Sequence, residues 1–281
     1  MTNGVPMKVS LIQMNSVSDK AANLEAARKL IEQAVAEEKP DWIGLPEVWD
    51  YIGGNRRTKM EAAEIIPGGP AYTLMQELAK THRVFIHAGS ILEKIPGDDE
   101  RIHNTTVAFD REGREVARYR KIHMFDITAP DGTPYRESAA FKPGDAVVTY
   151  DCEGVTVGCA ICYDVRFPYL FSALVEKGAE LIALPSAFTM QTGKDHWEVL
   201  CRARAIETET YFLAAAQTGA HTAGNETRQT YGHSLIADPW GHVVAKASDG
   251  PGITSARIDP KRIAKARQMI PVAQHRVKLA E

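Results

Sequence analysis

The chain has only four cysteines in 281 residues, far too few for a disulfide scaffold, and a reducing compartment would keep them as thiols. It has no basic block either: 33 lysines and arginines stand against 36 acids, for a net charge of -3. That balance excludes a surface that tracks nucleic-acid phosphates. No run is apolar enough to span a bilayer, and the opening MTNGVPMKVSLIQM lacks the charged segment, long apolar stretch and small-residue cleavage site of a secretory leader. The expectation is a soluble, cytoplasmic protein with no nucleic-acid or membrane partner. Low-complexity tracts, repeats of solenoid period and Ser/Gly-rich linkers are absent as well. This predicts a single domain over residues 1–281, with a C-terminal tail from about residue 271.

What the chain does have is an ordinary globular balance, 44% hydrophobic and 25% charged, and a steady alternation of short apolar runs with helical stretches. KVSLIQM, DWIGLPE, VFIHAGSIL, NTTVAFD, VTVGCAIC, ELIALPSA and YFLAAAQTG read as strands. ANLEAARKLIEQAVAEE, AYTLMQELAKTH, YLFSALVEKG and HWEVLCRARAIETE read as helices. Such alternation implies an α/β layered fold, and several neighbouring strands joined by short turns imply mixed rather than purely parallel sheets. FDREGREV predicts a hairpin with Gly113 at its turn. YIGGNRRTKMEAAEIIPGGP and HMFDITAPDGTPYRESAAFKPG, rich in Gly, Pro and charge, read as loops over a site.

Half of the cysteines fall in GCAICYDVRFP, as Cys159 and Cys162. Strand alternation puts Val155, Val157, Cys159 and Ile161 on one face and Thr156, Gly158, Ala160 and Cys162 on the other, so the two sulfurs point apart. A thioredoxin-type pair would sit on the first turn of a helix. A zinc site would want a second close pair, which the lone Cys152 and Cys201 do not supply. Cys159 is then a small buried hydrophobe. Cys162 stands where the strand ends and a helix can open, a strand-to-helix elbow that suits a nucleophile; a second core cysteine is the plain alternative.

A thiol that attacks a carbonyl needs a base and a group to hold the oxyanion. Glu47 ends the apolar run DWIGLPE and precedes Val48 and Trp49, surroundings that raise a carboxylate's pKa and suit a base. Lys121 in RYRKIHMFD and Glu137 in PYRESAAF would ordinarily be solvated. His87, His103, His123, His196 and His233 are available for a Cys–His pair, and no spacing singles one of them out. Residue chemistry alone leaves the partner of Cys162 open.

Taken together, LPEVW, YRKIHMFD, ESAAFKPGD, GCAICYDVRFP, LPSAF, HWEVLCRARAIET, YGHSLIADPWG and IPVAQHR resemble the nitrilase superfamily of carbon–nitrogen hydrolases, in family order and over almost the whole chain. The resemblance implies a four-layer αββα sandwich that pairs through helical faces into αββα–αββα, as a homodimer or larger oligomer. It also implies catalytic roles: Glu47 as general base, Lys121 as oxyanion stabiliser, Cys162 as nucleophile and Glu137 as the acid that orients the lysine and leaving group. The backbone N–H of Tyr163 would complete the oxyanion hole, and no metal or cofactor is required. Asp164 and Arg166 read as a structural ion pair or a turn brace.

The downstream blocks resemble the branch of omega-amidases and deaminated glutathione amidases, whose substrates carry a carboxylate. Candidates to bind it are Arg166, Lys194, His196, Thr189, Arg228 and Tyr231, with Phe188 lining the pocket. GAHTAGNETRQT reads as a specificity loop, and Asn104 as a strand-edge asparagine able to hydrogen-bond near the site. The alternatives are a nitrilase, an N-carbamoyl amino acid hydrolase and, from a different class, a catalytically silent binding or scaffold member.

Overall fold

The structure, a computed structural model, describes residues 5–277. Two sheets stack face to face. In the first, the strands run in the order Gly252–Ile258, Met7–Gln13, Trp42–Gly44, Phe85–His87, Ile102–Phe109 and Ile91–Lys94, with Glu115–Arg120 also paired to Ile102–Phe109. In the second, the order is Val243–Lys246, Leu235–Ala237, Tyr211–Ala214, Leu181–Ala183, Val155–Cys159 and Thr149–Cys152. Each sheet has three parallel strands at its centre and antiparallel strands outside them. The predicted mixed sheets are thus present.

Side-chain alternation sorts the layers. Val9, Leu11, Trp42, Phe85 and Tyr119 of the first sheet meet Val157, Cys159 and Ala183 of the second in the central core. The opposite face of the first sheet, with Ile12, Ile43, Ile86 and Phe109, takes Ala27 and Ile31 of helix Lys20–Glu38 and Tyr72, Met75 and Leu78 of helix Pro70–His82. Helices Pro168–Glu176 and Met190–Thr208 cover the second sheet, giving the αββα sandwich. A 13-residue helix such as Pro70–His82 is marginal alone. Burying Leu74, Met75 and Leu78 offsets this by roughly 1.5–3 kcal/mol for each side chain. Its N-terminus is held by the Glu64 carboxylate, which accepts from Ala71 N at 2.7 Å and Tyr72 N at 3.2 Å.

The FDREGREV hairpin forms as expected, with Gly113 at φ 75° and its N–H donating to Asp110 O at 2.9 Å. The two site loops carry more structure than their composition predicts. The first contains helix Arg56–Ala62, nucleated by a capping box between Asn55 and Thr58. The second contains a hairpin, Asp126–Thr128 with Pro134–Arg136, and a 3-10 turn at Glu137–Ala139. GAHTAGNETRQT is a hairpin too, with strands Thr218–Ala223 and Glu226–Tyr231. Of the expected tail, Val272–His275 is a short helix and residues 278–281 lie outside the described residues.

Candidate active site

The site assembles at the carboxyl ends of the central parallel strands, where loops of an α/β layer converge. Glu47 follows strand Trp42–Gly44, Ala187 follows Leu181–Ala183, and Cys162 follows Val155–Cys159. That last strand ends at Cys159, three residues before the predicted end. Ile161 is still extended, at φ -133° and ψ 121°, so the alternation carries through to the elbow. A Cβ on Gly158 would lie 3.2–3.3 Å from Leu174 and Ala179, which places that face against the covering helix. Cys159 takes the other face, in the central core. Burial pushes its thiol up to about 12.

Cys162 sits at φ 45°, and Val48, immediately after Glu47, at φ 44°. Left-handed backbone costs a non-glycine residue on the order of 1–2 kcal/mol and persists where surroundings enforce it. Here the enforcement is visible. Cys162 N donates to Pro185 O at 2.9 Å, and the buried Asp164 carboxylate accepts from Ile161 N at 2.8 Å, Tyr119 OH at 2.6 Å and His123 Nδ1 at 2.6 Å. Asp164 is therefore a turn brace. It pairs with His123, and Arg166 points away, 5.5 Å over the Phe188 ring with Nη2 3.2 Å from His196 Nδ1.

Around the thiol the charges interlock. Lys121 Nζ donates to Glu47 Oε1 at 2.8 Å and to both Glu137 oxygens at 2.9 Å. Glu47 also accepts from Asn104 Nδ2 and from Ala187 N, each at 2.8 Å, and Glu137 from Phe125 N at 2.6 Å. Glu47, Lys121 and Cys162 are 4%, 2% and 7% exposed. Burial pulls the Lys121 ammonium down, but Glu137 and then Glu47 outweigh it and hold Lys121 charged, well above an ordinary lysine. Burial also raises Glu137, against the pull of Lys121. For the Cys162 thiol, burial and the Glu47 charge together push it up, and Lys121 opposes them with less effect. The resting group is thus a thiol with an acceptor beside it. Such a nucleophile needs general-base help as it attacks, unlike one stored as a thiolate.

These groups line one half-open cavity of about 230 Å³. Of the residues expected there, the structure brings together Glu47, Lys121, Glu137, Cys162, Tyr163, Phe188, Thr189 and Arg228. Arg166, Lys194, His196 and Tyr231 do not line it. Tyr231 instead stacks on His233 at 4.4 Å, and Lys194 pairs with Asp195. Asn104 is buried and directed at Glu47, rather than a strand-edge residue. Lys59, Arg136 and His221 also line the cavity and escaped the sequence, because a lone basic residue in a polar stretch looks the same whether it faces solvent or a pocket.

A thiol, a carboxylate and a fixed ammonium converging at one cavity define a hydrolytic enzyme of the αββα sandwich class. The carbon–nitrogen hydrolase family profile matches residues 8–268. Over 275 residues the chain is 41% identical to a deaminated glutathione amidase of Synechocystis, covering 97% of this chain and 98% of that one. Its fold is similar to the crystal structure of the NitFhit protein of Caenorhabditis elegans, with a TM-score of 0.89 and 39% identity over 98% of this chain and 66% of the other. It is also similar to Nit3 of Saccharomyces cerevisiae, described as a member of branch 10 of the nitrilase superfamily, with a TM-score of 0.86 and 32% identity over 97% of both chains. The chain belongs to the carbon–nitrogen hydrolase family.

Proposed function

We propose that this hydrolase is an amidase that cleaves the omega-amide of a small carboxylate-bearing substrate, a 2-oxo-acid amide or deaminated glutathione, through a thioester on Cys162. The observation that carries the mechanism is the bridging of Glu47 and Glu137 by Lys121 Nζ, at 2.8 and 2.9 Å, in the cavity that Cys162 lines. Glu47 takes the thiol proton as sulfur attacks the amide carbonyl, and the C–S bond forms as the carbonyl π pair moves to oxygen. Lys121 and the Tyr163 N–H hold that oxyanion. As the tetrahedral adduct collapses, the C–N bond breaks and the nitrogen leaves as ammonia or amine with the proton from Glu47. Water, deprotonated by Glu47, then attacks the thioester; the acid departs and the proton returns to sulfur. Glu137 keeps Lys121 charged and oriented throughout.

The substrate class is supported by the full-length relative named deaminated glutathione amidase, and by basic side chains on the cavity wall. Four unpaired cysteines fit a cytoplasmic setting, and among the described residues no helix is long and apolar enough to cross a membrane. Release of ammonia or amine from 2-oxoglutaramate, deaminated glutathione, a nitrile and an N-carbamoyl amino acid tests the assignment. Turnover of the amides is expected; turnover of the nitrile alone sinks the amidase, and turnover of none favours a silent binding member.

A further inference from the structure

The cavity has two ends of opposite character. At the inner end two carboxylates, Glu47 and Glu137, share one ammonium. At the outer end three half-buried basic side chains from three elements face the same space: Lys59 of helix Arg56–Ala62, His221 of strand Thr218–Ala223 and Arg228 of strand Glu226–Tyr231. Among the described residues, the Lys59 and His221 side chains make no hydrogen bond or ion pair. The Arg228 guanidinium lies over the Tyr135 ring, its central carbon 4.6 Å from the ring centroid. Its Nη2 and Nε lie 3.2 and 3.4 Å from the exposed Glu226, and Nη1 has no partner among the described residues. Arg136, the other cation of the wall, directs Nη1 to the carbonyls of Ile127 and Tyr135, at 2.9 and 2.8 Å, and so braces the strand that carries the Tyr135 ring.

Lys59 and Arg228 repel one another, and the neighbouring acids offset this only in part: Glu226 pairs with Arg228, and Glu137 raises Lys59 less than burial and Arg228 lower it. Burial and then Arg228 pull the Lys59 ammonium below its usual range, with Glu137 opposing them, and burial with Arg228 and Lys59 lowers His221 to about 4, so near neutral pH its ring is uncharged and offers an N–H rather than a charge. Folding does not bring them together by accident of flexible tips. Gly54 N donates to Thr222 O at 3.0 Å, and a Cβ on Gly53, at φ 93°, would fall 2.0 Å from that same oxygen. The glycine pair lets the hairpin seat directly against the segment that leads into the Lys59 helix. An anion placed among the three groups would relieve the repulsion between Lys59 and Arg228 and satisfy the free donors of all three.

We infer that Lys59, His221 and Arg228 form a recognition subsite for a carboxylate at the end of the substrate remote from the scissile carbonyl, so that the preferred substrates are amides long enough to reach from Cys162 to the cavity mouth. This rests on the amidase function proposed above. Chemically it favours a peptide-like amide ending in a free carboxylate over a short amide or its neutral ester.

The test compares kcat/KM for deaminated glutathione with that for the same compound methyl-esterified at its glycine carboxyl, in the wild type and in Lys59→Gln and Arg228→Gln. The wild type should favour the free acid by about tenfold or more, chiefly through KM, and in each variant this preference should fall to within about threefold of unity. Equal wild-type cleavage of acid and ester overturns the subsite while leaving the amidase intact. A preference that persists undiminished in both variants overturns it as well. Cleavage of neither compound, with other carbon–nitrogen substrates turned over, overturns the substrate class on which it rests.

Discussion

At the residue scale, the roles divide by what surrounds each group. Two cysteines three positions apart meet different fates because one faces the inter-sheet core and the other the end of the sheet. Burial alone raises Cys159, whereas Cys162 feels Glu47 and Lys121 as well. Lys121 depends on its acids: burial favours its neutral form, and Glu137 is the strongest group opposing that. Removing Glu137's charge should therefore let the Lys121 pKa fall. With the ammonium needed for the oxyanion, Glu137→Gln is expected to shift the alkaline limb of the kcat/KM profile to lower pH by roughly 1–3 units. An unmoved limb would show that Glu137 does not tune the lysine. Glu47, Lys121, Glu137 and Cys162 could be grouped only through the resemblance carried by their motifs together, since Lys121 and Glu137 read singly look like solvated residues. Lys59 and His221 were not legible, since nothing in RRTKM or GAHTA separates a pocket residue from a solvated one.

At the element scale, strand ends deliver the chemistry and loops choose what reaches it. Alternation in the apolar strands predicted the faces correctly, because a side-chain period of two leaves no choice once one face is buried. The loops were less legible: a capping box at Asn55 and paired polar strands in Thr218–Tyr231 form against the rest of the fold, and their composition is that of any loop. One buried strand-end residue has a measurable consequence. His87, closing strand Phe85–His87, packs between Trp42 and Tyr150, and burial lowers it to about 3 from 6.5. Below pH 6.5 the unfolded chain binds a proton that the folded one refuses. Stability contributed by the neutral ring is thus full above 6.5 and is lost progressively as pH falls toward 3, by at most about 5 kcal/mol. Asp50, pushed up to about 6 by burial, acts in the opposite sense between 3.8 and 6. The difference between wild type and His87→Phe isolates the histidine: urea midpoints from pH 7 to 4 should fall less steeply in the variant. Parallel slopes would contradict the assignment.

At the scale of the whole molecule, the sandwich presents apolar side chains on its outer helices. Tyr169 is 64% exposed on helix Pro168–Glu176, and Val199 and Ile206 are 66% and 51% exposed on helix Met190–Thr208. We propose that this face pairs two chains into the αββα–αββα arrangement that family resemblance implies. Light scattering should then return about twice the 30.9 kDa chain mass, and Val199→Glu with Ile206→Glu should shift it toward one chain. A wild-type mass of a single chain would exclude the pairing. The central claim, however, concerns one sulfur. Hydrolysis of deaminated glutathione by Cys162→Ala and by Cys159→Ala, each against wild type, tests it most directly. Cys162→Ala should lose at least about a thousandfold in kcat, while Cys159→Ala should keep its rate and lose only about 1–2 kcal/mol of stability. Turnover retained by a folded Cys162→Ala would contradict the account.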